Sequence, residues 1–277
     1  MHRRVKAFTK RLLFALDRKR ATRFFCARSR AFSHALVKER GLYELNQKLI
    51  RRVGHRVLSG PFQGLSLSPM THEEHVGPYL LGTYESELHP WWKQLFQQRF
   101  AQILDVGAKF GYYAIGLAIR FPNSAVIAFD PDSWAQAAVR EMSQENGVKH
   151  VAVADFCDPS WLRCNLEENA LIVSDCEGYE AELLCSTDVP ALNSATMVVE
   201  THDCLHPGIE DRLRQRFAAT HRILSVNTRA RDDDRPGLAQ LFSLREREQL
   251  LNEMRPSQTF LMLVPRLQEE AQPGWTR

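Results

Sequence analysis

Beyond Phe100 the apolar positions fall into short unbroken runs separated by stretches with helical spacing. That pattern predicts parallel strands buried on both faces, with helices between them. Residues 103–106, 125–129, 150–154, 171–174 and 196–200 read as five strands. Helices are expected at 112–121, 133–146, 179–185 and 208–218, the last with Pro207 near its start and acids in its first turn. Residues 223–226 and 259–264 supply two further strands, expected as a hairpin-like pair at the sheet edge, with a helix at 244–254 between them. The expected fold class is α/β, a Rossmann-like seven-stranded sheet with helices on both faces.

Ahead of the sheet the pattern changes. From Arg3 to Leu49 the chain lacks proline, and Val5, Phe8, Leu12 and Leu16 recur near helical spacing among Lys and Arg, which predicts one or two amphipathic basic helices. Gly60-Pro61 and Gly64 interrupt apolar residues over 54–69, where short strands or a hairpin are expected, and residues 84–100 read as a helix laid against the sheet. The division is a basic helical extension over 1–56, connecting strands and helix over 57–100, the sheet domain over 101–266 and a tail over 267–277. The loop at 229–235, with three aspartates, reads as exposed.

Charge sharpens that division. The net charge of +3 hides an asymmetry: residues 1–56 hold 17 Lys/Arg against 3 Asp/Glu, and the rest holds 19 against 30. The favoured reading of this basic segment is a helical cap on an acidic body, with peripheral contact to a membrane surface second and nucleic acid third. No apolar run approaches the roughly 20 residues that span a bilayer, and residues 12–16 are too short and charge-flanked for a signal core. A cytoplasmic location is expected. The six cysteines show no metal-ligand spacing and read as reduced thiols.

The chemistry-bearing residues cluster at predicted strand ends. Asp105-Val106-Gly107-Ala108-Lys109-Phe110-Gly111 follows the first strand and opens a helix, as a nucleotide-cradling turn would. Its G-x-x-x-G spacing departs from the G-x-G-x-x-G that seats a pyrophosphate, so a cofactor without phosphates fits better. Asp130, 19 residues after Gly111, ends the next strand, where a carboxylate accepts from ribose hydroxyls. Capping of the following helix is its plain structural alternative. Asp155, ending the third strand, is a weaker candidate for the adenine edge.

Ile-Leu-Asp-Val-Gly-Ala-x-x-Gly-Tyr-Tyr (103–113), Ala-Phe-Asp-Pro (128–131), Asp-Cys-Glu-Gly-Tyr-Glu (175–180) and Val-Glu-Thr-His (199–202) occur in order over roughly residues 80–265. On these motifs the chain resembles the class I S-adenosylmethionine-dependent methyltransferases, and within them the FkbM-like group. The resemblance implies S-adenosylmethionine as cofactor, bound by Asp105, Gly107, Ala108, Gly111, Tyr112, Asp130, Pro131, Asp155 and Asp175, with Tyr84 and Glu85 from a segment folded over it. Asp130 stands where that group often has Glu, and Lys109 and Phe110 replace smaller or amide residues, leaving a cation as an odd neighbour for a sulfonium.

The acceptor is expected beyond strands four and five, at Asp175, Glu177, Glu200 and His202. His202 is the preferred base, since an ordinary imidazole titrates near neutrality. A divalent metal held by the same groups is possible but not favoured. Asp175-Cys176-Glu177-Gly178 offers no proline-aromatic platform for a nucleobase amine, so the resemblance implies O-methylation of a hydroxyl on a small molecule, sugar or glycoconjugate. A non-catalytic binding or scaffold protein and, less favoured, a nicotinamide-dependent oxidoreductase are the alternatives.

Overall fold

A computed structural model describes residues 18–231 and 236–266. The basic residues before Arg18, the aspartates at 232–234 and the expected tail at 267–277 lie outside the described residues.

Seven strands form one sheet in the order β3-β2-β1-β4-β5-β7-β6. They are β1 (Gln102–Val106), β2 (Ala125–Phe129), β3 (Val151–Ala154), β4 (Ala170–Ser174), β5 (Thr196–Thr201), β6 (His221–Asn227) and β7 (Thr259–Pro265). Strands β1 to β5 run parallel, while β7 lies antiparallel between β5 and β6. This is the Rossmann-like seven-stranded sheet anticipated above, and its last two strands form the antiparallel pair expected at the edge, with β7 inside β6. The chain leaves β3 at one edge and re-enters as β4 beside β1, so the sheet switches direction between β1 and β4. Ligands of open α/β sheets bind outside the strand carboxyl ends at such a switch.

Burial on both faces explains the unbroken apolar runs. All five residues of β1 and of β4 are buried, and so are all six of β5. Alternate residues feed opposite cores: Ile103, Leu171, Val173 and Val198 one face, Leu104, Ile172, Met197 and Val199 the other. The first face is covered by α5 (Tyr112–Arg120) and α6 (Ser133–Glu145), the second by α9 (Ile209–Phe217). The N-terminal helices α1 (Arg18–Glu39) and α2 (Leu42–Val53) join the first core through Val37, Leu42, Leu45 and Leu49.

The sequence pattern fails where elements are short. The 84–100 segment holds a 3₁₀ turn and then only α4 (His89–Leu95), after α3 (Gly77–Leu81). The 54–69 segment contributes one antiparallel bridge, Arg56 to Ser66, in place of strands. Three helices escaped notice, the first being the five-residue α3. The seven-residue α7 (Pro159–Asn165), capped by Asp158, buries only Leu162 fully, and α10 (Pro236–Leu241) spans six residues; neither has room for a repeat of apolar spacing. The expected helices at 179–185 and 244–254 shrink to α8 (Glu180–Leu183) and α11 (Leu244–Leu251).

Candidate functional site

Strand register lines up the chemistry. Val106 of β1 pairs with Phe129 of β2 and with Ser174 of β4; Phe129 pairs with Ala154 and Ser174 with Val199. One step past those partners the carboxyl edge reads Asp155, Asp130, Gly107, Asp175, Glu200 across five neighbouring strands. Four carboxylates thus flank the one position without a side chain.

The glycine turn closes on itself. Gly107 and Ala108 both donate their amides to Phe129 O, at 2.9 and 3.0 Å, and Gly111 donates to Ala108 O at 2.7 Å. Lys109 donates its amide to Asp130 Oδ2 at 3.0 Å, and Asp132 donates to Asp130 Oδ1 at 2.8 Å. Asp105 Oδ2 accepts from Ala114 in the first turn of α5 at 2.8 Å. The Gly107, Ala108, Lys109 and Gly111 amides, which a dinucleotide loop could offer to a pyrophosphate, are spent on protein acceptors. Gly107 answers a protein contact, not a ligand: at φ 92°, a Cβ there would stand 1.7 Å from Asp175 O. Asp132, not Asp130, caps α6, accepting from Trp134 N at 3.0 Å. Lys109 turns away to an ion pair with Glu74 Oε2 at 3.0 Å, which removes the cation expected beside the cofactor. Against the cost of burial, Lys109 and His34 hold the Glu74 carboxyl down to about 2.

Burial pushes the Asp105 and Asp130 carboxyls up to about 7, against the pull of the amides they accept. Glu85, 3% exposed and at φ 46°, is raised to about 7 by burial despite Arg255. It accepts from the Tyr113 hydroxyl and, at 3.1 Å, from Arg255 Nη1. Tyr84 stacks on Tyr79 at 3.9 Å, and Tyr112 lies 4% exposed among Phe62, Tyr79 and Tyr84, a core residue rather than an open binding surface. Pro131 and Asp155 are half-buried.

Beyond β4 and β5 the groups interlock. His202, 3% exposed, binds Glu180 Oε1 through Nδ1 at 2.7 Å and points Nε2 toward Asp175 Oδ1 at 3.4 Å and Glu177 Oε2 at 3.8 Å. Arg255 Nη1 reaches both oxygens of Glu200, at 2.9 and 3.1 Å, and Nη2 lies 2.7 Å from Glu253 Oε2. Glu180 is fully buried and also accepts from the Cys176 and Gly178 amides, each at 3.1 Å. Glu177, 71% exposed, sits at φ 56°, an uncommon backbone state for a side chain of its size.

This arrangement bears on His202, the expected base. Burial alone would make the ring shed its proton, but Glu180, Asp175 and Glu200 outweigh it and raise His202 to about 10. At neutral pH it is an imidazolium. Desolvation lifts the Asp175 carboxyl to about 6 against the pull of His202, and its side chain keeps 40% of its surface open. Ligand atoms of Asp175, Glu200 and His202 lie within 4.8 Å of one another.

Sequence reasoning missed Arg255, Glu253 and the inward role of Glu180. Arg255 belongs to the turn between α11 and β7, with no motif around it; only the surplus of acids over cations at the strand ends hinted that one was needed. The cysteines at 157, 164, 176, 185 and 204 are all free thiols. Among the described residues no helix is long and apolar enough to cross a membrane.

No protein-family model matches the chain, and no curated protein matches it. Among solved structures it is similar to a precorrin-6y C5,15-methyltransferase from Geobacter metallireducens, at 14% identity and TM-score 0.40, over 60% of this chain and 82% of that one. An rRNA methylase from Streptococcus thermophilus gives 9% identity and TM-score 0.45, over 64% and 95%. A precorrin 8w decarboxylase from Methanobacterium thermoautotrophicum gives 19% and 0.42, over 64% and 89%. Likenesses this distant carry nothing about substrate, so the functional argument rests on the site itself.

Proposed function

We propose that the protein is an S-adenosylmethionine-dependent methyltransferase of the FkbM-like group that acts on a hydroxyl. The observation carrying this reading is the row Asp155, Asp130, Gly107, Asp175, Glu200 beside a turn whose Gly107, Ala108, Lys109 and Gly111 amides are already spent. Four carboxylates around a bare glycine suit a cofactor that brings positive charge and no phosphate, and repel a dinucleotide. On this reading Asp130 and Asp155 hold the ribose and adenine, using lone pairs left over from the backbone contacts of Asp130. Glu85 and Asp175 face the cationic end.

S-adenosylmethionine supplies a methyl group on a positively charged sulfur. With that group bound, Asp175 would take the proton of the acceptor hydroxyl. His202, held charged by Glu180, stabilises the developing negative oxygen without taking part in the proton transfer. A second reading places a divalent cation between Asp175, Glu200 and His202. The bond from His202 Nδ1 to Glu180 favours it, as metal-bound imidazoles have such partners. The grip of Arg255 on Glu200 opposes it.

Calorimetry with S-adenosylmethionine, its demethylated product and NAD tests the reading, followed by labelled methyl transfer to fractionated cell extract. Binding of the first two, with label in a product stable to mild alkali as an ether is, is the expected outcome. Tight binding of NAD alone would refute it, and activity abolished by chelation and restored by magnesium would install the metal version.

A further inference from the structure

Helix α1 has one side fixed to the body and one side turned away from it. On the inner side Arg30 pairs with Asp132 at 2.7 Å, His34 binds Glu74 at 2.7 Å, and Val37 is fully buried. Arg28, Ala31, Phe32, Ala35, Lys38 and Glu39 are exposed instead. At about 100° per residue, Arg28, Phe32, Ala35 and Glu39 fall along one line, with Ala31 and Lys38 beside it. Phe32 is 71% exposed among alanines too small to cover it. A phenyl ring standing proud of an anchored helix serves no core of this chain.

The cations of this face are free. Arg28, Lys38 and Arg40 form no ion pair with a described residue, whereas Arg30 on the inner side does. The imbalance runs on through the sequence: residues 1–40 hold 13 Lys/Arg, against Asp17 and Glu39 alone. Like charges crowded into one segment repel one another until a counter-charge reaches them. The partner is therefore anionic.

Apolar residues interleaved with those cations decide what kind of anion it is. Residues 1–17 place Val5, Phe8, Leu12 and Leu16 near helical spacing among five Lys/Arg. Aliphatic side chains gain nothing from phosphates or base edges, but they gain from the acyl boundary of a bilayer while neighbouring cations meet the headgroups. A nucleic acid led on to the strand ends would meet Asp155, Asp130, Asp175 and Glu200. A membrane stops at the helix. Among the described residues no helix is long and apolar enough to cross a bilayer, so the contact is one made on its surface.

We propose that the outer face of α1, continued by residues 1–17, docks on an anionic phospholipid membrane, with Phe32 at the acyl boundary and Arg28, Lys38 and Arg40 on the headgroups. The docking stands apart from the methyltransferase reading, since no member of the acid row takes part in it. Phe32, Ser33 and Leu36 of α1 line a recess together with Lys109 of the glycine turn, so docking brings the membrane beside that turn.

Cosedimentation of the full chain tests it, with vesicles of phosphatidylcholine alone, vesicles with about one-third phosphatidylserine, and the mixed vesicles in about 0.5 M salt. Three variants are compared with wild type: Arg28→Gln, Lys38→Gln and Arg40→Gln together; Phe32→Ala; and a control that changes the exposed Lys93, Arg99 and Lys149 to Gln. The mixed vesicles are expected to bind at least about tenfold more tightly than the neutral ones and to lose that margin in salt. At roughly fivefold per charge near the surface, the α1 triple variant should weaken binding more than about tenfold, Phe32→Ala roughly threefold, and the control less than about twofold. Equal binding to both vesicles, binding to neither, α1 variants that bind like wild type, or a control that weakens binding as far as the α1 triple would each overturn the docking face. Duplex RNA that binds more tightly than mixed vesicles at equal phosphate, with Phe32→Ala making no difference, would put a nucleic acid in place of the membrane.

Discussion

The two sides of the switch point are built by different forces. On the β1–β2 side the acids are tied to backbone: Asp105 to Ala114, Asp130 to Lys109 and Asp132, and the turn amides to Phe129. On the β4–β5 side, acids are tied to other charges: Glu200 and Glu85 to Arg255, Glu180 and Asp175 to His202. The turn's backbone–backbone contacts to Phe129 fix geometry whatever the pH. Charge contacts fix it only while each partner keeps its proton state, so the second side is the one that pH, a cofactor charge or a single substitution can rearrange.

The comparison breaks most severely at Gly107, where the two sides meet. Gly107→Ala places a methyl against Asp175 O in a left-handed backbone. Overpacking of about 1–3 kcal/mol and a left-handed penalty of about 1–2 kcal/mol together predict a loss of roughly 2–5 kcal/mol, read by urea denaturation. S-adenosylmethionine binding should vanish with it. A variant as stable as wild type would mean the turn is free to move from β4, and the backbone-built side is not rigid.

Arg255→Met tests the charge-built side alone. It leaves Glu85 and Glu200 buried and unpaired, which predicts a loss of about 3 kcal/mol at neutral pH. Glu85 and Glu200 already have raised pKa values through burial, and removing the cation raises them further. Protonation relieves the repulsion, so the deficit should be greatest above about pH 7 and smallest below about pH 5. Thermal melts across that range check it; a deficit independent of pH would assign Arg255 a packing role against the Tyr84 and Phe260 rings instead.

What the sequence revealed follows the same division. The parallel strands were legible because burial on both faces leaves continuous apolar runs, and β2 matches the expected bounds of 125–129. The acid row was legible because its members end those strands. The centre around Arg255 was not, since a guanidinium from the β7 approach meets Glu200 across 55 residues and Glu85 across 170. Nor was the charge state of His202: a free imidazole titrates near neutrality, and only the convergence of Glu180, Asp175 and Glu200 holds the proton on. Local pattern reports which face is buried; it does not report which charges meet.

The smallest expected effect sharpens the comparison through protons. Asp105 and Asp130 sit near 7 in the folded protein against an ordinary value of 3.8, because burial disfavours their charged form. Raised carboxyls make the folded state hold extra protons between about pH 4 and 7, so their contribution to stability falls as pH rises through that window. His202, raised from 6.5 to about 10, acts in the same direction at higher pH: its contribution is complete below 6.5 and lost as pH climbs toward 10. A cofactor carrying positive charge reverses the preference of the carboxyls, favouring their ionised forms and expelling protons as it binds. Its affinity should therefore rise about tenfold, or ~1.4 kcal/mol, from pH 5 to pH 8. Calorimetry in buffers of differing ionisation enthalpy should register the released proton. An affinity flat across that range would mean that the acid row does not face the charge of the cofactor, leaving Asp105 and Asp130 as braces of the turn alone.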